Sequence, residues 1–237
     1  MTPRLSIFLP VFNEEENLHR LYDALIGSLE PLGESFELIF VDDGSTDRSL
    51  KLLSGLARSD QRVRVISFRR NYGQTAAMAA GIDASRGEVL IPMDADLQND
   101  PADIPALLAE RGDAELVMGN RVQRRDTWLR HAQSRVANGV RGWLLGDGTP
   151  DTGCGIKVMH RETFMDLPRF DHMHRFLPAL FLRAGKRVVS VPVKHRPRER
   201  GTSKYGLFDR LWVGIVDIFG VMWLRRRFKP GLTAREL

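Results

Sequence analysis

Two regular patterns of apolar and polar positions alternate along the first half of the chain. Five short, nearly continuous apolar runs predict β-strands at Leu5–Pro10, Glu37–Val41, Val63–Ser67, Val89–Met93 and Glu115–Gly119. The stretches between them predict helices. Glu14–Leu29 has helical spacing, Ser45–Ala57 begins with a capping signal, Gln74–Ala84 is rich in alanine, and Ala102–Arg111 follows Pro101. Strands that are apolar on both faces and separated by helices are typical of a parallel sheet. The pattern therefore predicts an α/β domain with a mostly parallel central sheet.

The second half of the chain is less regular. Its spacing predicts two further strands and three helices, at Thr152–Met159 and Arg187–Val193 and at Trp128–Leu145, His174–Ala184 and Leu207–Arg226. A basic loop separates the last strand from the last helix. We therefore divide the chain into one domain at 1–206 and an amphipathic helix with a basic tail at 207–237.

Composition and charge limit the classes of protein to which this chain can belong. A chain of 237 residues, 43% of them hydrophobic, can bury a sizeable core. The single cysteine, Cys154, excludes an internal disulfide and suits a reducing compartment. The N-terminus leads into a short apolar run and not into the long apolar segment of a secretion signal. A net charge of +5 favours an anionic partner, such as nucleic acid, a phosphorylated substrate or a membrane surface.

Three polar clusters fall where predicted strands end. They are NEEE at 13–16, DDGSTD at 42–47 and DADLQND at 94–100. Ligands of parallel sheets bind beyond the carboxyl ends of the strands. We therefore expect the three clusters to converge on one site.

The third cluster has the chemistry of a metal site. Asp94 and Asp96 are two residues apart, so their carboxylates share one face of an extended chain. Carboxylate oxygens suit Mg²⁺ or Mn²⁺, and Mg²⁺ usually completes its shell with substrate phosphates. Asp100 precedes Pro101 and is expected to cap the next helix instead.

The other two clusters contain side chains that can bind a nucleoside. Asp43 lies at a strand end, where it can shape the turn or accept hydrogen bonds from a nucleobase or a ribose. Pro10, Phe12 and Glu14 are expected beside it. Glu15 and Glu16 are interpreted as the solvated first turn of a helix, where acidic residues are favoured.

Basic residues are concentrated in two places. Arg130 and Ser134 lie four apart and share one face of a predicted helix. A loop after the last strand contains Arg198, Arg200, Ser203 and Lys204. Both places can hold phosphate groups, and a solvated basic face is the alternative for the loop.

Asp151, in DTGCGIK at 151–157, is a further candidate site residue. It can act as a general base, but the favoured interpretation is a buried carboxylate that organises the adjacent glycines and a nearby arginine. Cys154 is interpreted as a small core residue. His172 and His174 are expected at the surface or behind the site.

The longest apolar stretch, at 211–224, is too short for a membrane span. At about 1.5 Å per residue it reaches roughly 21 Å, against a bilayer core of about 30 Å. A helical wheel predicts one apolar face, away from Asp217, formed by Leu211, Trp212, Ile215, Ile218, Phe219, Met222 and Trp223. Arginines flank the stretch. Such a helix suits the interface of an anionic membrane, or packing on the domain or a partner chain.

Several motifs in this order resemble a known family. SIFLPVFNEEENL, VDDGSTD, NYGQTAAMAAGI and MDADLQNDP, with GNR, DTGCGIKVMHRE and HRPRERGTSKYG, are similar to family 2 glycosyltransferases. The subgroup is that of dolichyl-phosphate mannosyltransferase and polyprenyl-phosphate glycosyltransferases. The resemblance covers nearly the whole chain. It implies a glycosyltransferase A-type, Rossmann-like fold for the catalytic domain at 1–206, without a transmembrane span.

The resemblance also implies roles for residues. Those expected to hold the nucleoside are Pro10, Phe12, Glu14, the backbone at Val41 and Asp43. Asp94 would lie against the ribose and phosphates, while Asp96 and Gln98 would hold the metal. Arg121 would face the donor.

The same resemblance implies which residues bind the acceptor phosphate. It would be held by Arg130, Ser134, Arg198, Arg200, Ser203 and Lys204, with the contact at either Arg198 or Arg200. The chain departs from many relatives at Phe12, where tyrosine is common, and at Gln74, where lysine or arginine is common.

The sequence thus predicts an inverting, metal-dependent glycosyltransferase. It would move a sugar from a UDP- or GDP-sugar to a polyprenyl phosphate, for cell-envelope glycan or lipid synthesis. A phosphate acceptor is already anionic and needs no general base. A hydroxyl-acceptor glycosyltransferase is the first alternative, although the Gln-x-x-Arg-Trp motif frequent there is absent. A non-catalytic basic protein that binds membranes or nucleic acid is the second.

The expected location is peripheral, on the cytoplasmic face of the membrane. The expected partners are a nucleotide sugar, a polyprenyl phosphate lipid and the membrane surface, and not nucleic acid. A small integral membrane protein or a second copy of the chain is a further candidate partner.

Overall fold

The structure is a computed structural model that describes residues 2–121, 139, 141–196 and 207–227, with side chains in the last segment at 214 and 216–227. The strands are β1 (Leu5–Val11), β2 (Phe36–Asp42), β3 (Val63–Ser67), β4 (Val89–Pro92), β5 (Leu116–Arg121), β6 (Lys157–His160) and β7 (Val188–Val193). The α-helices with complete bounds are α1 (Leu18–Leu29), α2 (Ser49–Ser59), α3 (Gln74–Ala84), α4 (Ile104–Ala109), α5 (Arg161–Met165), α6 (Leu177–Arg183) and α7 (Leu207–Arg227). Residues 141–145 are also helical, and short 3₁₀ turns occupy Glu30–Leu32, Pro101–Asp103 and Met173–Arg175.

The seven strands form one sheet in the order β3-β2-β1-β4-β6-β5-β7. All neighbouring pairs are parallel except those of β6, which runs antiparallel to both β4 and β5. Alternate residues of β1 point to opposite layers: Leu5 and Leu9 pack into one hydrophobic cluster and Phe8 packs into the other. The predicted α/β class with a mostly parallel sheet is confirmed.

Helices α1 and α2 begin about four residues later than the sequence pattern predicts. Asn13 has a φ of 55°, and its side-chain oxygen accepts the backbone N–H of Thr46 at 2.7 Å. The backbone N–H groups of Glu14 and Glu15 donate to Ser49 Oγ and to an Asp47 oxygen at 2.9 and 3.2 Å. Because these groups bind the neighbouring loop, they do not enter a helical turn. The loops after β1 and β2 are thereby joined at the carboxyl edge of the sheet.

One side of α7 packs on the domain. Val221 is buried there, and Ile218 and Met222 are half-buried beside it. Asp217 also faces inward, with its Oδ2 3.4 Å from Nδ1 of His172. The helical wheel grouped Ile218 and Met222 into a single apolar face away from Asp217. The structure divides that group, because the helix turns Asp217 toward a histidine partner and brings Ile218 and Met222 with it.

The opposite side of α7 has an exposed apolar stripe. Val216, Phe219 and Trp223 have exposed fractions of 58, 64 and 58%. The guanidinium of Arg227 lies over the Trp223 ring, 5.8 Å from its centre. Among the described helices, none combines the length and apolar content needed to cross a membrane.

Candidate active site

A cavity of about 380 Å³ opens at the carboxyl edge of the sheet. Strand ends, the first turns of α3 and the segment leading into β6 form its walls. The lining residues are Pro10, Gln74, Met78, Pro92, Met93, Asp94, Arg121, Thr152, Gly153, Cys154, Gly155, Lys157, His174 and Arg175. The cavity thus brings together three residues predicted for the site, namely Pro10, Asp94 and Arg121.

Asp94 is held from two sides. Gln74 donates its side-chain N–H to Asp94 Oδ1 at 2.7 Å, so the amide at this position has a defined partner. Gly155 approaches from the other side. A Cβ at position 155 would overlap Asp94 Oδ2 and lie 2.6 Å from Nδ2 of Asn99, which only a glycine avoids. The carboxylate is therefore positioned before any ligand arrives.

The loop after Asp94 turns sharply. Leu97 has a φ of 60°, and Asp96 Oδ1 accepts the backbone N–H of Gln98 at 3.1 Å. Asp100 caps the following 3₁₀ turn, as predicted, by accepting the backbone N–H of Ala102 at 3.2 Å. Asp96 and Gln98 are not among the residues that line the cavity.

The donor atoms available for a metal are oxygens. Within the described residues, no group of three His, Cys, Asp or Glu side chains has the arrangement of a metal site. Two carboxylates, Asp94 and Asp96, remain at the end of β4. This small oxygen-only set fits Mg²⁺ or Mn²⁺, which takes one or two carboxylates and fills its other positions with substrate phosphates and water. The metal role of Asp96 and Gln98 stays a prediction.

Arg121 and Asp151 form a buried ion pair. Nε and Nη2 of Arg121 donate to the two oxygens of Asp151 at 2.6 and 2.8 Å, and the two side chains are only 13 and 7% exposed. Burial lowers the pKa of Arg121, but the hydrogen bonds and charge of Asp151 outweigh this effect and leave the pKa raised. The interpretation of Asp151 as an organiser of a nearby arginine is confirmed.

Asp43 uses its carboxylate within the protein. Its two oxygens accept the backbone N–H groups of Tyr72 and Gly73 at 2.7 and 2.9 Å. Burial is the main cause that raises its pKa, and the charge of Asp42 adds to it. Asp43 therefore anchors the loop that leads into α3. Its contact with a nucleoside stays a prediction.

The other predicted nucleoside contacts lie near this loop. Val41 is fully buried in β2, where only its backbone could face a ligand. Glu14 accepts a hydrogen bond from the side chain of Asn17 at 2.7 Å. Phe12 and Glu14 directly follow β1, so they share the carboxyl edge with Pro10, although neither lines the cavity.

Among the ionisable residues of the cavity, sequence reasoning missed Lys157 and Arg175, and it placed His174 at the surface or behind the site. Lys157 had a usable signal, because a lone lysine inside the apolar run of a buried strand needs a reason to be there. His174 and Arg175 had none. They reach the cavity through a 3₁₀ turn whose preceding residue, His172, has a φ of 62°.

His174 is held in its neutral form. Its Nδ1 lies 3.0 Å from the Thr75 hydroxyl, which also accepts the backbone N–H of His172 at 3.0 Å. Burial is the main cause that lowers the pKa of His174 to about 3, and the positive charges of Lys157 and Arg175 contribute. Its imidazole is therefore uncharged at neutral pH.

This pKa predicts an acid-sensitive fold. Unfolded histidine binds a proton below about pH 6.5, whereas His174 in the folded state resists it down to about pH 3. Stability is thus intact above pH 6.5 and falls as the pH is lowered, by up to about 2 kcal/mol at pH 5. Urea unfolding at pH 7.5 and 5.0 should show a smaller difference for His174→Asn than for wild type. The matched variant of exposed His19, His19→Asn, should behave as wild type; equal pH dependence in all three proteins would contradict the assignment.

The predicted acceptor residues lie outside the described part of the chain. They are Arg130, Ser134, Arg198, Arg200, Ser203 and Lys204. β5 ends at the cavity residue Arg121, and Arg196 donates its backbone N–H to the carbonyl of Gln98 at 3.0 Å. Their phosphate contacts stay predictions.

Comparison with known proteins identifies related chains. Residues 6–167 match the family model for glycosyl transferase family 2. Dodecaprenyl-phosphate galacturonate synthase of Rhizobium johnstonii is 38% identical over 234 residues, which cover 96% of this chain and 69% of that protein. Undecaprenyl-phosphate 4-deoxy-4-formamido-L-arabinose transferase of Edwardsiella ictaluri is 36% identical over 205 residues. That match covers 86% of this chain but only 63% of the relative, slightly less than two thirds of its length.

A solved structure with the same fold is glucosyl-3-phosphoglycerate synthase from Mycobacterium tuberculosis, in complex with Mn²⁺, UDP and glucosyl-3-phosphoglycerate. The TM-score is 0.67 at 20% identity, and the match covers 94% of this chain and 80% of that one. At this identity the likeness concerns the fold alone. It agrees with the α/β architecture predicted from the sequence.

Proposed function

Because the chain belongs to glycosyl transferase family 2, we propose that it is an inverting, metal-dependent glycosyltransferase that moves a monosaccharide from a nucleoside diphosphate sugar to a polyprenyl phosphate. The main support is the identity of 38% over 96% of the chain to an enzyme named for a dodecaprenyl-phosphate sugar product. The second relative is named for transfer to undecaprenyl phosphate. The cavity with Asp94 and Arg121 at the carboxyl edge of the sheet is where such a donor would bind.

The proposed reaction is a single displacement. An oxygen of the acceptor phosphate forms a bond to the anomeric carbon of the sugar while the bond from that carbon to the diphosphate breaks, and the electron pair leaves with the nucleoside diphosphate. No proton has to be removed, because the acceptor oxygen is already anionic. This agrees with the site, since Asp151, the candidate base, has both oxygens bound to Arg121.

The remaining roles are proposed for residues of the cavity, for the loop after β4 and for the two basic segments. Asp96 and Gln98 would hold a Mg²⁺ or Mn²⁺ ion, which when bound supplies positive charge to the departing diphosphate, and Asp94 would lie against the ribose and the phosphates. Gln74 and Gly155 keep Asp94 in place for this contact. Arg121, oriented by Asp151, presents a fixed positive charge to the donor. Arg130, with either Arg198 or Arg200, would hold the acceptor phosphate against the repulsion of the donor.

Binding of the donor tests this proposal directly. We expect one of UDP and GDP to raise the melting temperature of the full chain in Mn²⁺ and to have little effect in EDTA, because the diphosphate needs the metal to bind. A transfer assay with radiolabelled UDP- or GDP-sugars and undecaprenyl phosphate in detergent should then give a lipid-linked product. A chain that binds neither nucleotide in either condition would contradict the proposal.

The segment 207–237 is proposed to attach the catalytic domain to the cytoplasmic face of the membrane. The support is the exposed stripe of Val216, Phe219 and Trp223, next to Arg226 and Arg227 at the end of α7. Aromatic side chains beside arginines suit the interface of an anionic bilayer. A polyprenyl phosphate is itself a membrane lipid, so this location would bring the enzyme to its acceptor.

Vesicle binding measures this attachment. The double variant Phe219→Ser, Trp223→Ser should lower partition onto vesicles of phosphatidylglycerol and phosphatidylcholine at least tenfold, because burying each ring contributes about 1.5–3 kcal/mol. Leu50→Ser changes an exposed apolar residue on α2 and serves as the control. Equal partition of the double variant and wild type would exclude α7 as the attachment site.

A further inference from the structure

Lys157 is a buried cation in the wall of the cavity. It is the first residue of β6, it pairs with Met118 of β5, and 5% of it is exposed. Its neighbours in β6, Val158 and Met159, are fully buried. Burying an ammonium group costs free energy unless an opposite charge compensates it. A lysine at this position therefore requires a reason beyond packing.

Two other buried cations in the described chain each have a carboxylate. Arg121 binds Asp151, and Arg141 lies 3.1 Å from Asp147. Lys157 differs from both. It donates to the backbone carbonyl of Cys154, and within the described residues no carboxylate lies at ion-pair distance from its Nζ. An ammonium group has three donors, and the contact with Cys154 uses one of them, so a protonated Lys157 has donors left for a ligand.

The surroundings of Lys157 make this charge costly. Burial lowers its pKa, and the nearby charge of Arg121 acts in the same direction. Asp94 and Asp151 raise it, but Asp94 is bound to Gln74 and Asp151 to Arg121. An anion that entered the cavity would supply the missing partner to a lysine that is only 5% exposed, where charges attract more strongly than at the surface.

We propose that Lys157 binds an anionic oxygen group of the nucleotide-sugar donor. The inference rests on the proposed function and extends it to a residue with no role so far. Two parts of a donor have the required chemistry: an oxygen of the diphosphate, or the carboxylate of an acidic sugar. In the second case Lys157 selects the sugar, because a neutral hexose leaves the buried ammonium unpaired.

Calorimetric titration of the Lys157→Gln variant distinguishes the two sources. The ligands are UDP and GDP alone, and the pairs UDP-glucose with UDP-glucuronate and UDP-galactose with UDP-galacturonate, all in Mg²⁺. A diphosphate contact predicts at least tenfold weaker binding of the preferred nucleotide alone. A carboxylate contact predicts a tenfold loss confined to the uronate donors. Lys186→Gln, at a surface lysine that pairs with Glu115, is the matched control and should bind as wild type.

The Lys157→Met variant distinguishes an effect on ligand binding from an effect on folding. It removes the charge and keeps most of the apolar stem, so its melting temperature should equal or exceed that of wild type while its affinity falls as for Lys157→Gln. Wild-type affinity of a folded Lys157→Met for every ligand would overturn the proposal, as would a lower melting temperature with unchanged binding. If wild type itself binds no nucleotide, the proposed function fails, and this is seen before any variant is measured.

Discussion

Replacing Asp96 with alanine is expected to lower the rate of sugar transfer by at least about 10³-fold. The variant loses the carboxylate proposed to hold the metal together with Gln98, and a divalent ion contributes several kcal/mol to the stabilisation of a departing diphosphate. Single-turnover transfer from a radiolabelled nucleotide sugar, at saturating Mn²⁺, measures the effect on the chemical step.

The same experiment tests whether the loss is specific to Asp96 or follows from the removal of any negative charge. Asp113→Ala removes a carboxylate whose side chain is 95% exposed, and it should transfer sugar at the wild-type rate. Asp96→Ala should also lose the Mn²⁺-dependent part of nucleotide binding. If it kept wild-type transfer and wild-type Mn²⁺ dependence, the metal would have to be held elsewhere, and the assignment of the DADLQ segment would be wrong.

Replacing Asp151 with alanine is expected to cost about 3–5 kcal/mol of folding free energy. The change leaves the guanidinium of Arg121 buried without its charge partner, and uncompensated buried ions have costs of this size. Urea denaturation followed by circular dichroism measures the loss. Donor binding should weaken too, since Arg121 loses the two hydrogen bonds that orient it.

An exposed ion pair provides the comparison. Asp83 lies 2.6 Å from Arg169, but the two side chains are 52 and 35% exposed. Asp83→Ala should cost at most about 1 kcal/mol, because exposed ion pairs contribute little. Similar losses for Asp83→Ala and Asp151→Ala would show that burial of the Arg121 pair has no special energetic consequence.

Local sequence was sufficient for most of the fold. β3 and α3 have the predicted bounds, because β3 is a short apolar run and α3 is rich in alanine, and both are local features of the sequence. The strand predicted at Thr152–Met159 is only partly present, since β6 begins at Lys157. The preceding residues follow contacts with distant parts of the chain: Gly153 with Arg121 and Gly155 with Asp94. No window of neighbouring residues contains that information.

The candidate site was predictable to a similar degree. Asp94 and Arg121 follow strand ends, so a topological rule places them at one edge of the sheet. His174 enters the cavity because Thr75 fixes the turn around it from 99 residues away. The inward face of α7 depends on Asp217 meeting His172, a pairing that a helical wheel does not consider. Both misjudged features arise from polar contacts between distant segments.

The contact between Gly155 and Asp94 limits how this cavity can be redesigned. Any side chain at 155 would overlap a carboxylate that Gln74 holds in place, so the two positions cannot be varied independently. A saturation library at 155 would return inactive proteins whatever sugar was used for selection. Diversity aimed at new donors belongs at Met78 and Arg175, whose side chains enter the cavity from α3 and from a 3₁₀ turn and not from the strand edge.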